Sequence, residues 1–517
     1  MTKHRLGQRL THIACLLSLW AGAMACGEGH LEAPGAAAPV DGLETRTARQ
    51  SPAFTEDLFY DNCPTASVAQ GPTLYVSKSG PRDPSKPLGS DLNPYSTIMA
   101  AVKAARPGNI ILVRQGDYNE QVAITAPKGA RPGTATAPIV LRGEQAGRPR
   151  ILPAATNVGS LVHISQPYWV VQFFEVDVRE RPSFAVLFEN TTTCSQVLDS
   201  KLHGGRAGAG VVTSYADFVL IDDNEIYDFS KQNTDSHGVA IRGVTRNVFI
   251  VENDIHDVSG DAVQCQPNGG RPAVILVERN RLHDTGENGV DVKACDDLLL
   301  HENKIYNFPN LAKYPWQANT SAAEGVLVHE DATNVQILYN EIWNAGRGIS
   351  IGGNNVIDMP VNVQIEGNHV HDIYDYAKRN NGQGIRIVKA RGVTLLGNII
   401  ERTYDAGLRL AADPPNAVPG LLVYKNTLRD MRLFVRLGAR AYRPGLGMDL
   451  NRYEGASGVF TITDELWEGS HARWRAVLAP LYLDQFSERI IPSSRPKELT
   501  DDEGARRSRV SRQPRPR

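Results

Sequence analysis

Through the middle of the chain, apolar residues alternate with polar or variable ones in short runs that open on a small residue. The runs are Gly238-Val-Ala-Ile-Arg, Ala262-Val-Gln-Cys-Gln, Gly289-Val-Asp-Val-Lys, Gly325-Val-Leu-Val-His, Gly348-Ile-Ser-Ile-Gly, Gly384-Ile-Arg-Ile-Val and Gly407-Leu-Arg-Leu-Ala. A period of two predicts strands with one buried face. A second pattern interleaves with the first: Asn, a variable residue, an apolar residue, another variable residue, then usually a small polar one. It begins at Asn224, Asn253, Asn280, Asn303, Asn340, Asn368, Asn398 and Asn426, with Ser200-Lys-Leu-His-Gly as a degenerate earlier copy. Successive Asn are 29, 27, 23, 37, 28, 30 and 28 residues apart. Another β-rich stretch, such as Val248-Phe-Ile-Val or Val335-Gln-Ile-Leu, precedes each Asn.

Two or three short strands per repeat at this period predict a parallel β-solenoid whose coils stack about 4.8 Å apart. Each Asn then falls at the same turn, where it tolerates left-handed backbone and bonds to a neighbouring coil. A WD-type propeller has no support, because no Gly-His or Trp-Asp pair recurs. The fold class expected is all-β: a single-stranded right-handed parallel β-helix with an N-terminal capping helix. Handedness rests on the general preference for right-handed crossovers and on the resemblance described below.

A solenoid must cover its open ends. Thr73-Leu-Tyr-Val reads as a strand, Ser96 to Ala105 as a helix stopped by Pro107-Gly108, and Ile110-Ile-Leu-Val and Ile139-Val-Leu-Arg as further strands. Gly458-Val-Phe-Thr-Ile reads as a last coil, with an amphipathic segment from Arg473 to Phe486 packed on it. Upstream, Lys3, Arg5 and Arg9 precede an apolar run from Ile13 to Ala25, too short for a comfortable membrane span and shaped like a secretory signal. Its end, Ala23-Met24-Ala25-Cys26, resembles a bacterial lipobox, which implies lipidation at Cys26. The organisation expected is a signal over 1–25, a flexible tether over 26–58, a β-helix domain over 59–490 and a disordered basic tail over 491–517. The location expected is the bacterial cell envelope, with the protein lipid-anchored at an outer membrane or cell surface, or otherwise secreted.

Composition narrows the class. The chain has 517 residues, 41% hydrophobic and 22% charged, which excludes full disorder, a fibrous rod and a polytopic membrane protein. Net charge is −2, and six Arg are concentrated in the last twelve residues, so the body is mildly acidic and no nucleic-acid partner is expected. A monomer is expected. Export permits disulfides, and Cys63, Cys194, Cys265 and Cys295 allow three pairings that sequence leaves open. No CxxC or Cys/His cluster has zinc spacing.

Aligning the runs on their first residue stacks one outward column as Ala240, Gln264, Asp291, Leu327, Ser350, Arg386 and Arg409. The next outward column reads Arg242, Gln266, Lys293, His329, Gly352, Val388 and Ala411. Lys293 and His329 thus become neighbours with Asp291 beside them, while Asp261, Glu287, Asn288 and Glu324 gather at one edge. The 37-residue interval adds a loop between the Lys293 and His329 coils, in which Tyr314 and Trp316 could stack on sugar rings. Such a strip suits an extended anionic polymer.

The stretch Asn93-Pro-Tyr-Ser-Thr-Ile, then Gly116-Asp-Tyr-Asn-Glu, then Ala137-Pro-Ile-Val-Leu-Arg-Gly resembles the opening of bacterial right-handed β-helix proteins. It is especially similar to pectate lyase-like polysaccharide lyases of the chondroitinase B and alginate lyase type. Gly286-Glu-Asn-Gly-Val-Asp-Val-Lys is similar to the coil carrying the catalytic Lys of those lyases. The resemblance implies Lys293 as Brønsted base, His329 as acid in place of the usual Arg, and Ca²⁺ held by acidic or Asn residues, here Asp261, Glu287 and Asn288. Asp291, Arg242, Arg386, Tyr314 and Trp316 would bind substrate. β-Elimination next to a uronate carboxylate needs a cation on that carboxylate and an unprotonated base, so a Lys base needs a depressed pKa. The activity expected is binding and cleavage of an acidic polysaccharide. A non-catalytic adhesin or glycan-binding lipoprotein is the alternative. A glycoside hydrolase is a lesser one, because Asn233-Thr-Asp, Ser259-Gly-Asp261 and Gly346-Arg-Gly only loosely echo polygalacturonase motifs, with Ala262 and Arg347 at positions that need Asp and His.

Overall fold

The computed structural model describes residues 54–491 apart from 81, 155–157, 191, 320–321, 354–358, 412–417, 439–444 and 464–466. The expected signal, Cys26, nearly all of the tether and the basic tail lie outside the described residues.

Each coil gives one short strand to each of three sheets, and each sheet has 14 strands. Sheet A holds the strands that precede the Asn turn, beginning with Thr73–Val76. Sheet B holds the short strands just after the turn, such as Glu225–Phe229 and His369–Ile373. Sheet C holds the runs led by small residues, such as His237–Arg242, Val290–Lys293 and Glu324–His329. Pairing along the coils is parallel, and the described exception is the last pair of sheet C, where Val459–Ile462 meets Trp467–Gly469 antiparallel. The architecture is the expected all-β parallel β-helix.

The alternation read from sequence places Val290, Val326, Ile349, Ile385 and Leu408 in one fully buried core. The Gly that leads each sheet C run is needed for close approach. A Cβ on Gly289 would come within 2.5 Å of the Gly325 carbonyl oxygen and 2.4 Å of Ile305 Cγ2. At the turn between sheets A and B the Asn side chains form a buried ladder. Asn340 Nδ2 donates to the Leu300 and Leu338 carbonyls, while its Oδ1 accepts from the backbone N and Nδ2 of Asn303. Asn451 adds a ninth rung, accepting from Asn426. The ladder satisfies backbone groups that would otherwise be buried unpaired at every coil.

A helix lies at each described end of the coil stack; at the C-terminal end it covers His471–Leu478, while Tyr482 and Phe486 of the expected packed segment are exposed. Helix Ile98–Ala104 is capped by the Thr97 side chain, and Glu120 accepts from Ile98 N and Met99 N at its start. At the other end helix His471–Leu478 buries Trp474 and Leu478, and Trp474 stacks on Phe460 at 5.0 Å. Phe54 and Leu58, in the segment assigned from sequence to the tether, pack with Phe59 on Leu220 and Phe249 of sheet A. Of the three possible pairings, the disulfides are Cys63–Cys194 and Cys265–Cys295. The first ties this covering segment down; the second joins consecutive coils next to Lys293.

Candidate functional site on the outer face of sheet C

The sheet registers bring the predicted columns together. Gln264 pairs with Asp291, Asp291 with Leu327, Leu327 with Ser350, Ser350 with Arg386 and Arg386 with Arg409. Lys293 pairs with His329 on the next coil, and Arg436 extends the Arg386–Arg409 column. Strand geometry alone dictates this, since residues two apart share a face and parallel register stacks equivalent positions.

Asp291 is the hub. It is 3% exposed, and its two oxygens meet Lys293 Nζ at 3.1 Å and His329 Nε2 at 2.9 Å. Burial pushes its carboxyl up, but the His329 hydrogen bond and the Lys293 charge outweigh that and hold it below the ordinary value. Asp261 is fully buried at the edge of the cluster. It accepts from the backbone and side chain of Asn288 at 3.2 and 2.9 Å and from Gln264 Nε2 at 3.1 Å, and lies 3.2 Å from His237 Nδ1. Burial, then the Asp291 charge, pushes it up. Glu287 is raised to about 10 by burial and by Asp261, Asp235 and Asp291, so it carries its proton at neutral pH.

Lys293 keeps its proton as well. Burial alone would lower its pKa, but the charges of Asp291 and Asp261 and the hydrogen bond to Asp291 outweigh it and raise the group above its ordinary value. The direction is opposite to what a Lys base needs. The reason is the company of acids, with the Asp291 carboxylate 3.1 Å from Nζ and Asp261 at the edge of the cluster.

The expected calcium ligands do not make a calcium cage. Such a cage offers about six to eight oxygens to the ion. Here the Asp261 carboxylate is bonded to Asn288 and Gln264, the Asn288 Oδ1 accepts from Glu324 N, and Glu287 is protonated.

The remaining predicted residues divide. Arg386 stands three rungs from Asp291, in the basic column. Arg242 is half-buried two rungs to the other side, with its Nε buried and unbonded, and burial lowers its pKa. Tyr314 is not a sugar platform: it is 1% exposed, with Trp316 edge-on at 5.6 Å. The loop does not project from its own coil but folds back over earlier ones. Lys313 bonds Asp228 at 2.7 Å and Asp257 at 3.0 Å, and the buried Gln317 donates to Asp235 and to the Ser259 carbonyl. Trp316 is half-buried in this packing.

Sequence reasoning missed His237, Gln317 and Arg436, and met Asp235 only as the last residue of Asn233-Thr-Asp. His237 directly precedes an aligned Gly, the same edge position as Asn288 and Glu324, and that offset was the available signal. Beyond the cluster the edge continues as bonded pairs. Arg347 reaches Glu324 at 2.7 Å and Gln383 at 2.9 Å, and Gln383 reaches Asp405 at 2.7 Å.

The family model described as "Right handed beta helix region" matches residues 184–413, the coils that carry this site. These residues form a right-handed parallel β-helix region, in agreement with the three parallel sheets. Among solved structures it is similar to a lacto-N-biosidase from Eubacterium ramulus, at 13% identity over 76% of this chain and 68% of that one, with a TM-score of 0.45. It is also similar to a mannuronic-acid-specific polysaccharide family 6 lyase from human gut microbiota (14%, 79% and 92%, 0.46) and to a surface adhesin of Streptococcus pneumoniae (13%, 71% and 83%, 0.41). These values describe a shared architecture and decide no activity. No curated protein matches the chain.

Proposed function

We propose that this β-helix acts on an acidic polysaccharide laid along the outer face of sheet C, and that it cleaves uronate linkages there by β-elimination. The observation that carries the reading is the Asp291 hub: one buried carboxylate holding a protonated Lys293 on one oxygen and His329 on the other. The protonation of Lys293 changes the roles expected from the resemblance. Its ammonium is the cation that neutralises the uronate carboxylate and makes the neighbouring C–H more acidic. His329, oriented by Asp291 as an imidazole is by a supporting carboxylate, takes that proton. Glu287, protonated at neutral pH, is the acid of the cluster and supplies a proton to the departing glycosidic oxygen. Arg386, Arg409 and Arg436 extend the positive column along the polymer's path.

Export belongs to the same proposal. Two disulfides suit an oxidising compartment, and the sequence around Cys26 suits a lipid anchor. In the producing cell, Cys26→Ser is expected to move the protein from the membrane fraction to the soluble one.

The test of the activity is ultraviolet absorbance of unsaturated sugar ends after incubation with alginate, pectate or chondroitin sulfate, each with Ca²⁺ and with chelator. The expected result is unsaturated product from one of these polymers. Reducing ends without unsaturation would instead indicate a hydrolase. Retained binding with no product on any of them would favour the adhesin-like alternative.

A further inference from the structure

The outer face of sheet B carries a feature unrelated to the site above. The rings of His203, Tyr227, His256, His283, Tyr306, Trp343 and His371 stack coil upon coil, with centroids 4.3 to 5.7 Å apart and interplanar angles of 1 to 11°. At the far end of this stack a second imidazole enters. His369 lies two residues before His371 on the same strand face, with ring centroids 4.3 Å apart, and Glu341 pairs with His369 from the preceding coil. One ligand atom each from Glu341, His369 and His371 lies within 4.8 Å of the others.

We infer that Glu341, His369 and His371 form a binding site for a divalent first-row transition ion such as Zn²⁺. Two imidazoles and one carboxylate are a donor set that such ions prefer, with water filling the remaining positions. Each imidazole is already oriented by a carboxylate of its own. His371 Nδ1 is 2.7 Å from Asp372 Oδ2, and His369 Nε2 is 3.1 Å from Glu401 Oε1. This is the supporting arrangement that metal-binding histidines use, and it leaves the other ring nitrogen of each for the ion. For His371 that nitrogen, Nε2, is buried, has no hydrogen-bond partner and stands 3.6 Å from Glu341 Oε1. A buried ring nitrogen without a partner is costly unless something else binds it.

Local charge allows a cation. Arg402 bonds both Asp372 and Glu401, and lies 3.3 Å from His371 Nδ1, on the side away from Nε2; Arg429 bonds Glu401. Glu341 Oε1 faces His371 Nε2 at 3.6 Å. The other end of the ring stack makes the contrast. Glu175, Asp177 and His203 also converge, but Arg150 fills that place, bonding Glu175 at 3.2 Å and Asp177 at 3.0 Å. The inference does not rest on the polysaccharide reading.

The test is Zn²⁺ titration by calorimetry on the tag-free, chelator-stripped protein, alongside His371→Ala, Glu341→Gln and, at the opposite end, His203→Asn. The expected result is one saturable equivalent, weakened at least tenfold by His371→Ala and by Glu341→Gln and unchanged by His203→Asn. Ni²⁺ should quench Trp343, which stacks on His371, and the quenching should disappear in Trp343→Phe. Glu341 is partly exposed, so Glu341→Gln keeps the test sound should His371→Ala fold poorly. Absence of saturable uptake, or uptake that ignores Glu341→Gln or follows His203→Asn, would overturn the inference.

Discussion

The outer faces of sheets B and C are built from the same coils and differ in how they use them. On sheet B the column is repetitive: rings lie face to face on neighbouring rings with their edges toward solvent, and each stacked pair contributes about 0.5–1.5 kcal/mol. On sheet C equivalent positions change character from coil to coil, from Ala240 through Asp291 and Leu327 to Arg386. Neighbours of unlike chemistry bring buried acids, a Lys and a His within bonding distance. Repetition along a solenoid face serves the stacking of coils, and a break in repetition is where a chemically specific site is affordable. The same reasoning applies within sheet B, where His369 interrupts its own column next to the end of the ring stack.

Four substitutions sharpen that contrast. The largest effect is expected at the hub, where Lys293→Ala should lower formation of unsaturated ends more than about 100-fold and also lower the melting temperature, because the buried Asp291 loses its cationic partner. Next comes the interior. Asn340→Leu removes three donated bonds and takes the Oδ1 acceptor from the Asn303 backbone N and from one of the two bonds of Asn303 Nδ2, at a cost of about 2–4 kcal/mol in chemical denaturation. On the repetitive face, Tyr227→Ala removes contacts with His203 and His256 at 4.8 and 5.3 Å. It should lower stability by about 1 kcal/mol without altering activity.

The smallest effect is one of pH. Burial lowers the pKa of His283, but its bonds to Asp254 and Asp284 outweigh this and raise it. Its stabilising contribution is therefore complete below the unfolded imidazole value of about 6.5 and fades as pH rises through the higher folded value. His283→Phe keeps a ring in the stack and should flatten the stability profile over that interval, by less than about 1 kcal/mol. A profile that stays equally steep would show that the ring, not its charge, governs the contribution.

Much of this arrangement was legible in the sequence because a solenoid turns periodicity directly into position. The Asn spacing located the turn, and alternation gave the buried column and the Lys293–His329 and Asp291–Leu327 registers. What escaped depends on contacts that no period encodes. Tyr314 is buried because its loop folds back to Asp228, Asp257 and Asp235. Lys293 holds its proton because Asp261 approaches it from the edge, in addition to Asp291 on its own strand. The ring stack was present as His, Tyr or Trp three residues after most of the repeated Asn, a position treated as variable because the residue type changes while its aromatic character does not.

The central claim is that Lys293 acts through its positive charge and not as a base. Arginine keeps that charge and does not release a proton near neutral pH, so the direct measurement compares the initial rate of unsaturated-end formation in Lys293→Arg with that in Lys293→Ala on the polymer that the wild-type protein cleaves. The account predicts that Lys293→Arg retains at least a tenth of the wild-type rate while Lys293→Ala loses nearly all of it. A Lys293→Arg variant as inactive as Lys293→Ala, though folded and still binding the polymer, would contradict it.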